Sequence, residues 1–218
     1  MVYLSGVFQE PSAFTYPSTL LGFNGIDIGD NNQTKLLTNF SSNLTDSSPQ
    51  AHTVTLSSGS PSYSASNITL PGSTYLSIAS SSDFDTDRES HFTFDTIITP
   101  DAGATLSSNQ TLLSRYENNS NYYYLRTVGT NSNVAFVVND IGNITELQGG
   151  NCNGGISYHV AVSYSKTTQT LGLYVNNIRV ASSSFIPSAT ATGPLTIGAA
   201  NNASGAGQQP YKGKIDFV

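Results

Sequence analysis

The chain has 218 residues, carries charge on only 10% of them, and has a net charge of -6. A chain of this length can bury roughly 70% of its unfolded surface, so one sizeable core needs no covalent staple. The sparse, acidic charge makes nucleic acid and anionic membranes poor partners, and no run of about 20 apolar residues is present to cross a membrane as a helix.

The polar bulk is Ser, Thr, Asn and Gly. Cys152 is the single cysteine, so no intrachain disulfide can form, and no neighbour in the sequence would activate its thiol. The stretch after Met1 has neither a basic start nor a long apolar run, so no secretory signal is read there. A composition suited to the outside of a cell, without that signal, gives the expectation of a protein made in a host cytoplasm and carried on a virion surface. The alternative is an extracellular protein.

In chain order, residues 1–17 hold Pro11 and Pro17 and little alternation, and read as an arm or linker that docks elsewhere. One domain is expected over residues 18–218. Its first strand is residues 19–24, followed by a turn-rich stretch over 25–50. Short strands are predicted at 52–56, 67–70 and 75–78, and 80–87 reads as a polar loop with one helical turn. Residues 91–99 alternate, with Phe92, Phe94 and Ile98 on one face. Strands at 111–116, 122–128 and 134–138 follow, then a short one at 143–147 and a glycine-rich loop at 149–155.

Residues 157–182 read as three consecutive antiparallel strands. Tyr158, Val160, Val162 and Tyr164 alternate with polar residues, and Asn176-Asn177 supplies a two-residue hairpin turn that tolerates positive φ. Pairing across the turns sets Val160 opposite Val175 and then Ile178, Val162 opposite Leu173 and then Val180, and Tyr164 opposite Leu171. A one-residue slip would send these to opposite faces. His159 falls on the other, solvated face. Residues 194–199 and 211–218 are the last strands. Many short strands with turns between them and no helical period mean an all-β sandwich or barrel.

Several segments, in order, resemble the laminin-G/concanavalin A-like lectin/glucanase superfamily, in the form found in phage and other virion surface proteins. They begin with LLGFNG at 20–25, then Asp46-Ser47-Ser48 leading into PQAHTVTL at 49–56, LPGSTYLSIASSSDFD at 70–85 and HFTFDTIITP at 91–100. The hairpins of 158–182, PLTIGAA at 194–200 and YKGKIDFV at 211–218 complete the set. The resemblance implies a two-sheet antiparallel jelly roll that contacts sugar or protein through one rim. It also implies a calcium ion near the sandwich edge, for which Asn24, Asp27, Asp30 and Asp216 are the candidate oxygen ligands. The chain departs from the family in having no Trp.

Asp83, Asp85 and Asp87 form the densest acidic cluster and resemble the alternating carboxylates of related glucanases. They lie on a loop, whereas retaining chemistry needs two carboxylates about 5–5.5 Å apart on rigid elements, so no catalytic residue is assigned. Tyr122-Tyr123-Tyr124 with Arg126 is the expected contact site for glycan or protein, with Tyr123 on one face and Tyr122 and Tyr124 on the other. The leading expectation is a non-enzymatic virion protein, a capsid decoration or a fibre or tail component. Its partners would be other virion proteins or further copies of itself, together with a host-surface glycan. The alternative is a carbohydrate-binding adhesion module of a longer extracellular protein, and a glycan-cleaving enzyme is the third reading.

Overall fold

The structure, a computed structural model, describes residues 35–216 apart from 39, 41–42, 58, 65–66, 87–90, 103–107, 130–131, 189–190 and 203–204. The arm over 1–17 and the strand over 19–24 lie outside the described residues.

The strands are β1 (Val54–Leu56), β2 (Ser62–Tyr63), β3 (Ile68–Pro71), β4 (Leu76–Ile78), β5 (Phe92–Pro100), β6 (Gln110–Asn118), β7 (Asn121–Val128) and β8 (Asn133–Asp140). They continue as β9 (Asn143–Asn151), β10 (Tyr158–Ser165), β11 (Thr170–Val175), β12 (Ile178–Ser184), β13 (Leu195–Ile197), β14 (Ala200–Asn202), β15 (Gly205–Gln208) and β16 (Lys212–Ile215). A 3-10 turn, Ser82–Phe84, is the helical turn expected within 80–87.

Two antiparallel sheets of seven strands stack as a jelly-roll sandwich. One has the order β1-β4-β13-β6-β7-β8-β9 and the other β12-β11-β10-β5-β16-β3-β2. Leu76, Leu113, Tyr123, Leu125 and Phe136 face inward from the first, and Ile98, Val160, Val162, Leu173 and Ile215 from the second. The sheets meet where the Phe94 ring stacks on Tyr123 at 5.2 Å. Each fully buried aliphatic side chain contributes about 1.5–3 kcal/mol, which is what makes a register slip costly.

The expected pairs Val160–Val175, Val162–Leu173, Tyr164–Leu171 and Val175–Ile178 all form. The pair Leu173–Val180 does not. A bulge in β12 sets Leu173 opposite Ala181 and Tyr174 opposite Arg179, leaving Val180 between them. Val180 instead packs on Gly149, and Ile178 is an exposed residue outside the core. Of the glycine-rich stretch expected to be a loop, residues 149–151 belong to β9, and 152–155 form the loop and turn that follow it. A Cβ on Gly149 would lie 3.0 Å from Val180 and one on Gly150 2.7 Å from Val175, so glycine here lets the two sheets close together. The β14–β15 hairpin has no signal in the sequence, since its Ala, Gly, Asn and Gln residues carry no apolar alternation.

Candidate functional site

The strand β7 alternates faces as expected. Tyr123 is only 1% exposed, and its hydroxyl donates to the Phe84 carbonyl at 3.2 Å. It is core, which removes it from the contact site. Tyr122, Tyr124 and Arg126 point outward, where the cross-strand register groups them with a specific set of neighbours. Tyr122 opposes Tyr116 and Asn139; Tyr124 opposes Ser114 and Val137; Arg126 opposes Ala135. On the far side of β8, Asn139, Val137 and Ala135 oppose Ile144, Glu146 and Gln148 of β9.

Height decides the shape of this face. Small residues on β8 stand between tall ones on β7 and β9, which close over them: Ala135, Val137 and Asn139 are 0%, 5% and 4% exposed, so the trough along β8 is narrow and its floor is covered. The rings of Tyr116, Tyr122 and Tyr124 stack in series, with centroids 6.1 and 4.7 Å apart and planes within 25°. Tyr122 is therefore held between two other rings and cannot offer a face for stacking. The ladder is a wall that presents ring edges and hydroxyls. Burial pushes the Tyr124 phenol well above its ordinary range, reinforced by Tyr122 and Tyr116, so this hydroxyl stays protonated. The β14–β15 hairpin packs beside it: Asn201 N–H donates to Ser114 Oγ at 3.0 Å, and Tyr124 donates to the Asn201 carbonyl at 3.3 Å.

Two ends of the trough carry unfinished polar chemistry. At one, Asn139 is 4% exposed, its amide nitrogen donates to the Asn119 carbonyl at 2.8 Å, and its buried Oδ1 receives no hydrogen bond. At the other, Arg126 and Glu146 reach toward each other over β8 and meet in one 3.4 Å contact. Buried Arg126 Nε has no acceptor. A buried donor or acceptor left without a partner costs about 1–3 kcal/mol, and both atoms lie beneath the surface, covered by neighbouring side chains.

The acidic loop is built differently. Arg115 is 1% exposed on β6; its Nη1 donates to Asp85 at 2.8 Å, its Nη2 to the Ser81 carbonyl at 2.9 Å and its Nε to the Gly193 carbonyl at 3.0 Å. Asp83 lies 3.4 Å from Lys35 and 3.2 Å from His52, and accepts from Ser81 Oγ at 3.0 Å. The two carboxylates are spent on separate cations. Asp87, the third of the cluster, lies outside the described residues.

A comparison with protein families matches residues 70–218 to the one described as the concanavalin A-like lectin/glucanases superfamily. The chain belongs to that superfamily. A comparison with curated protein sequences gives no match. Among solved structures, domain 4 of AbnA, an extracellular arabinanase from Geobacillus stearothermophilus solved with arabinotriose, is similar with a TM-score of 0.66 at 16% identity, over 84% of this chain and 89% of that one. The binding domain of Paraclostridial Mosquitocidal Protein 1 follows with 0.64 at 12%, over 81% and 45%. A structure of botulinum neurotoxin type C, whose cell entry depends upon interaction with two ganglioside molecules, gives 0.62 at 11%, over 84% and 44%. At these identities the likeness shows the shared fold. The chain spans less than half the length of the two toxin chains.

Within this superfamily frame, the segment from Asp46 to His52 has a structural role. The buried carboxylate of Asp46 accepts from Leu37 N–H, Ser48 N–H, Ser48 Oγ and His52 N–H at 2.8–2.9 Å, which fixes the loop. His52 then packs on Phe84 at 4.7 Å, tying this loop to the acidic one.

Of the calcium set, Asn24, Asp27 and Asp30 lie outside the described residues. Asp216 is described, and burial raises its carboxyl above the usual range. Among the described residues no three His, Cys, Asp or Glu side chains group as a metal site. His159 is not solvated as expected. Its Nε2 lies 2.5 Å from Asp95 Oδ1 and its Nδ1 3.1 Å from Asn177 Oδ1. Burial alone would lower its pKa, but Asp95 outweighs that and holds it above 6.5. Burial pushes the Cys152 thiol up to about 12, leaving it inert. Among the described residues no helix is long and apolar enough to cross a membrane.

Proposed function

We propose that this chain is a non-catalytic carbohydrate-binding module that takes sugar in the trough along β8. The observation that carries this reading is the outward wall of Tyr116, Tyr122 and Tyr124 beside the partly exposed Arg126–Glu146 pair. A carbohydrate offers donors and acceptors on every ring, which suits phenol hydroxyls and a cation–carboxylate pair alike. The relatives of this fold include an arabinanase domain solved with arabinotriose and a toxin that interacts with gangliosides, which supports the same reading. Against catalysis stands the loop geometry: Asp85 is locked to Arg115 and Asp83 lies against Lys35 and His52.

The virion location expected from composition gains no support from these relatives, and the module reading does not depend on it. The test is a broad glycan array probed with the intact chain and with Tyr122→Ala. Binding by the former and a loss of about tenfold or more with the latter is expected, since the central rung holds the wall together. Silence of the intact chain across the array would overturn the reading.

A further inference from the structure

The two large sheets end in four edge strands, β1 and β9 in one and β12 and β2 in the other. A strand edge exposes a row of backbone N–H and C=O groups that can pair with another extended chain, so folded proteins shorten, bulge or charge it. Three of these edges are treated in that way. β1 has three residues and β2 has two. β12 carries the bulge at Val180, beside the exposed cation of Arg179. In contrast, β9 is nine residues long, contains no Pro, and keeps a regular register with β8 from Asn143 to Gly149. Its one charge, Glu146, lies against Arg126 of its own sheet at 3.4 Å.

The direction of the open groups follows from the turn. Asp140 pairs with Asn143 across Ile141 and Gly142, whose φ values of +50° and +83° are those of a two-residue hairpin turn. The pair flanking such a turn is hydrogen-bonded, and antiparallel pairs alternate. Ile144, Glu146 and Gln148 therefore turn their N–H and C=O away from β8, along the outer edge. Among the described residues no backbone hydrogen bond reaches that edge. The side chains beside it are uncovered too: Ile144 is 62% exposed and Ile141 61%. Ile141 also holds a β-branched side chain at positive φ, where Asn or Gly would sit without strain.

We propose that β9 pairs antiparallel with β9 of a second copy of this chain, continuing the sheet from one copy into the other. Charge favours that occupant at this place. The net charge of -6 opposes self-association over most of the surface, but on β9 the single carboxylate is offset by Arg126. With the two-fold axis at Thr145, Ile144 faces Glu146 of the second copy in a hydrogen-bonded pair. The two symmetric pairs make about four backbone hydrogen bonds. They set each Ile144 against the Glu146 side chain across from it. Moving the axis to Glu146 would place like charges directly opposite each other, which destabilises a strand pair. The continued sheet turns both tyrosine walls to the same side, β7 to β7 about 24 Å apart at about 4.8 Å per strand. On the function proposed above, one dimer then offers two contact faces to a single surface.

The experiment is sedimentation equilibrium of the intact chain from about 1 µM to about 1 mM, the range in which a small interface associates. Amide hydrogen exchange is read by NMR at both ends of that range. A concentration-dependent dimer is expected, with the Ile144 and Glu146 amides protected about tenfold or more at the high end and not at the low end. Ile144→Lys should give a monomer with the melting temperature of the dilute intact chain, because the side chain it replaces is exposed. Leu56→Lys makes the same change on the opposite edge of that sheet, at a residue 39% exposed, and should leave association unchanged. A monomer at every concentration would overturn the proposal, whatever other chain takes the edge. A dimer that survives Ile144→Lys, or one whose Ile144 and Glu146 amides exchange freely, would overturn it as well. All of these readings are made without sugar, so they are independent of carbohydrate binding.

Discussion

The acidic loop at 81–85 and the trough on β8 are two polar clusters at opposite stages of completion. In the loop every prominent charge has found a protein partner: Asp85 is held by Arg115, Asp83 lies against Lys35 and His52, and Asp46 next door accepts four hydrogen bonds. In the trough a buried amide oxygen and a buried guanidinium nitrogen are left without one. Folding has paired the carboxylates of the first cluster, although buried His52 Nε2 lies 3.2 Å from Asp83 without a hydrogen bond, and it has left two such atoms in the second. The carboxylates of the loop are therefore scaffold, and the proposed contact face is the tyrosine wall with the partly exposed Arg126–Glu146 pair.

That contrast can be tested by removing groups from each side. The largest expected effect is Arg115→Met, which takes away three hydrogen bonds and strands Asp85. Breaking a buried pair of this kind costs about 3–5 kcal/mol, seen as an early thermal or urea transition. Asp46→Ala should follow with a loss of about 2–3 kcal/mol in the same measurement, because four donors lose one acceptor. Neither change touches the trough, so sugar binding at a temperature where the variant is folded should match that of the intact chain. Tyr122→Ala should do the reverse, costing about 1 kcal/mol or less of stability while removing most binding. A Tyr122→Ala protein that melts like Arg115→Met would contradict the division of roles.

A smaller effect belongs to His159. Its pKa is raised in the folded chain, so the stabilisation from Asp95 is complete below about pH 6.5 and fades as pH rises through the folded value. Melting temperature should decline over that window, and Asp95→Asn should flatten the decline. The smallest is the response to calcium. A rise in melting temperature that chelator reverses and Asp216→Asn abolishes would assign Asp216 a ligand role; no response would leave it a partly buried surface carboxyl.

Legibility in the sequence followed the range of the forces involved. The strands of 158–182 could be read because alternation and a two-Asn turn are local, and their register failed only at Val180, where a bulge inserts one residue without any turn signal. Gly149 and Gly150 carry no strand signal in the sequence, because what demands them is Val180 and Val175 on the other sheet. Tyr122, Tyr124 and Arg126 could be picked from the sequence as one outward set. Asn139 and Glu146 could not, since only lateral pairing of β7, β8 and β9 brings them alongside. Asp83 and Asp85 stood out as a cluster, but the cations that neutralise them come from distant segments.

The order of residues was enough to establish the all-β architecture, the superfamily and the two-faced character of the tyrosine run, because side-chain alternation and turn chemistry act over a few residues. Which polar groups are spent and which are left open was settled by the folded arrangement. Hydrogen bonding is a matter of distance in space, and the partners of Arg115, Asp46 and His159, like the absence of partners for Asn139 Oδ1 and Arg126 Nε, exist only once the strands have paired.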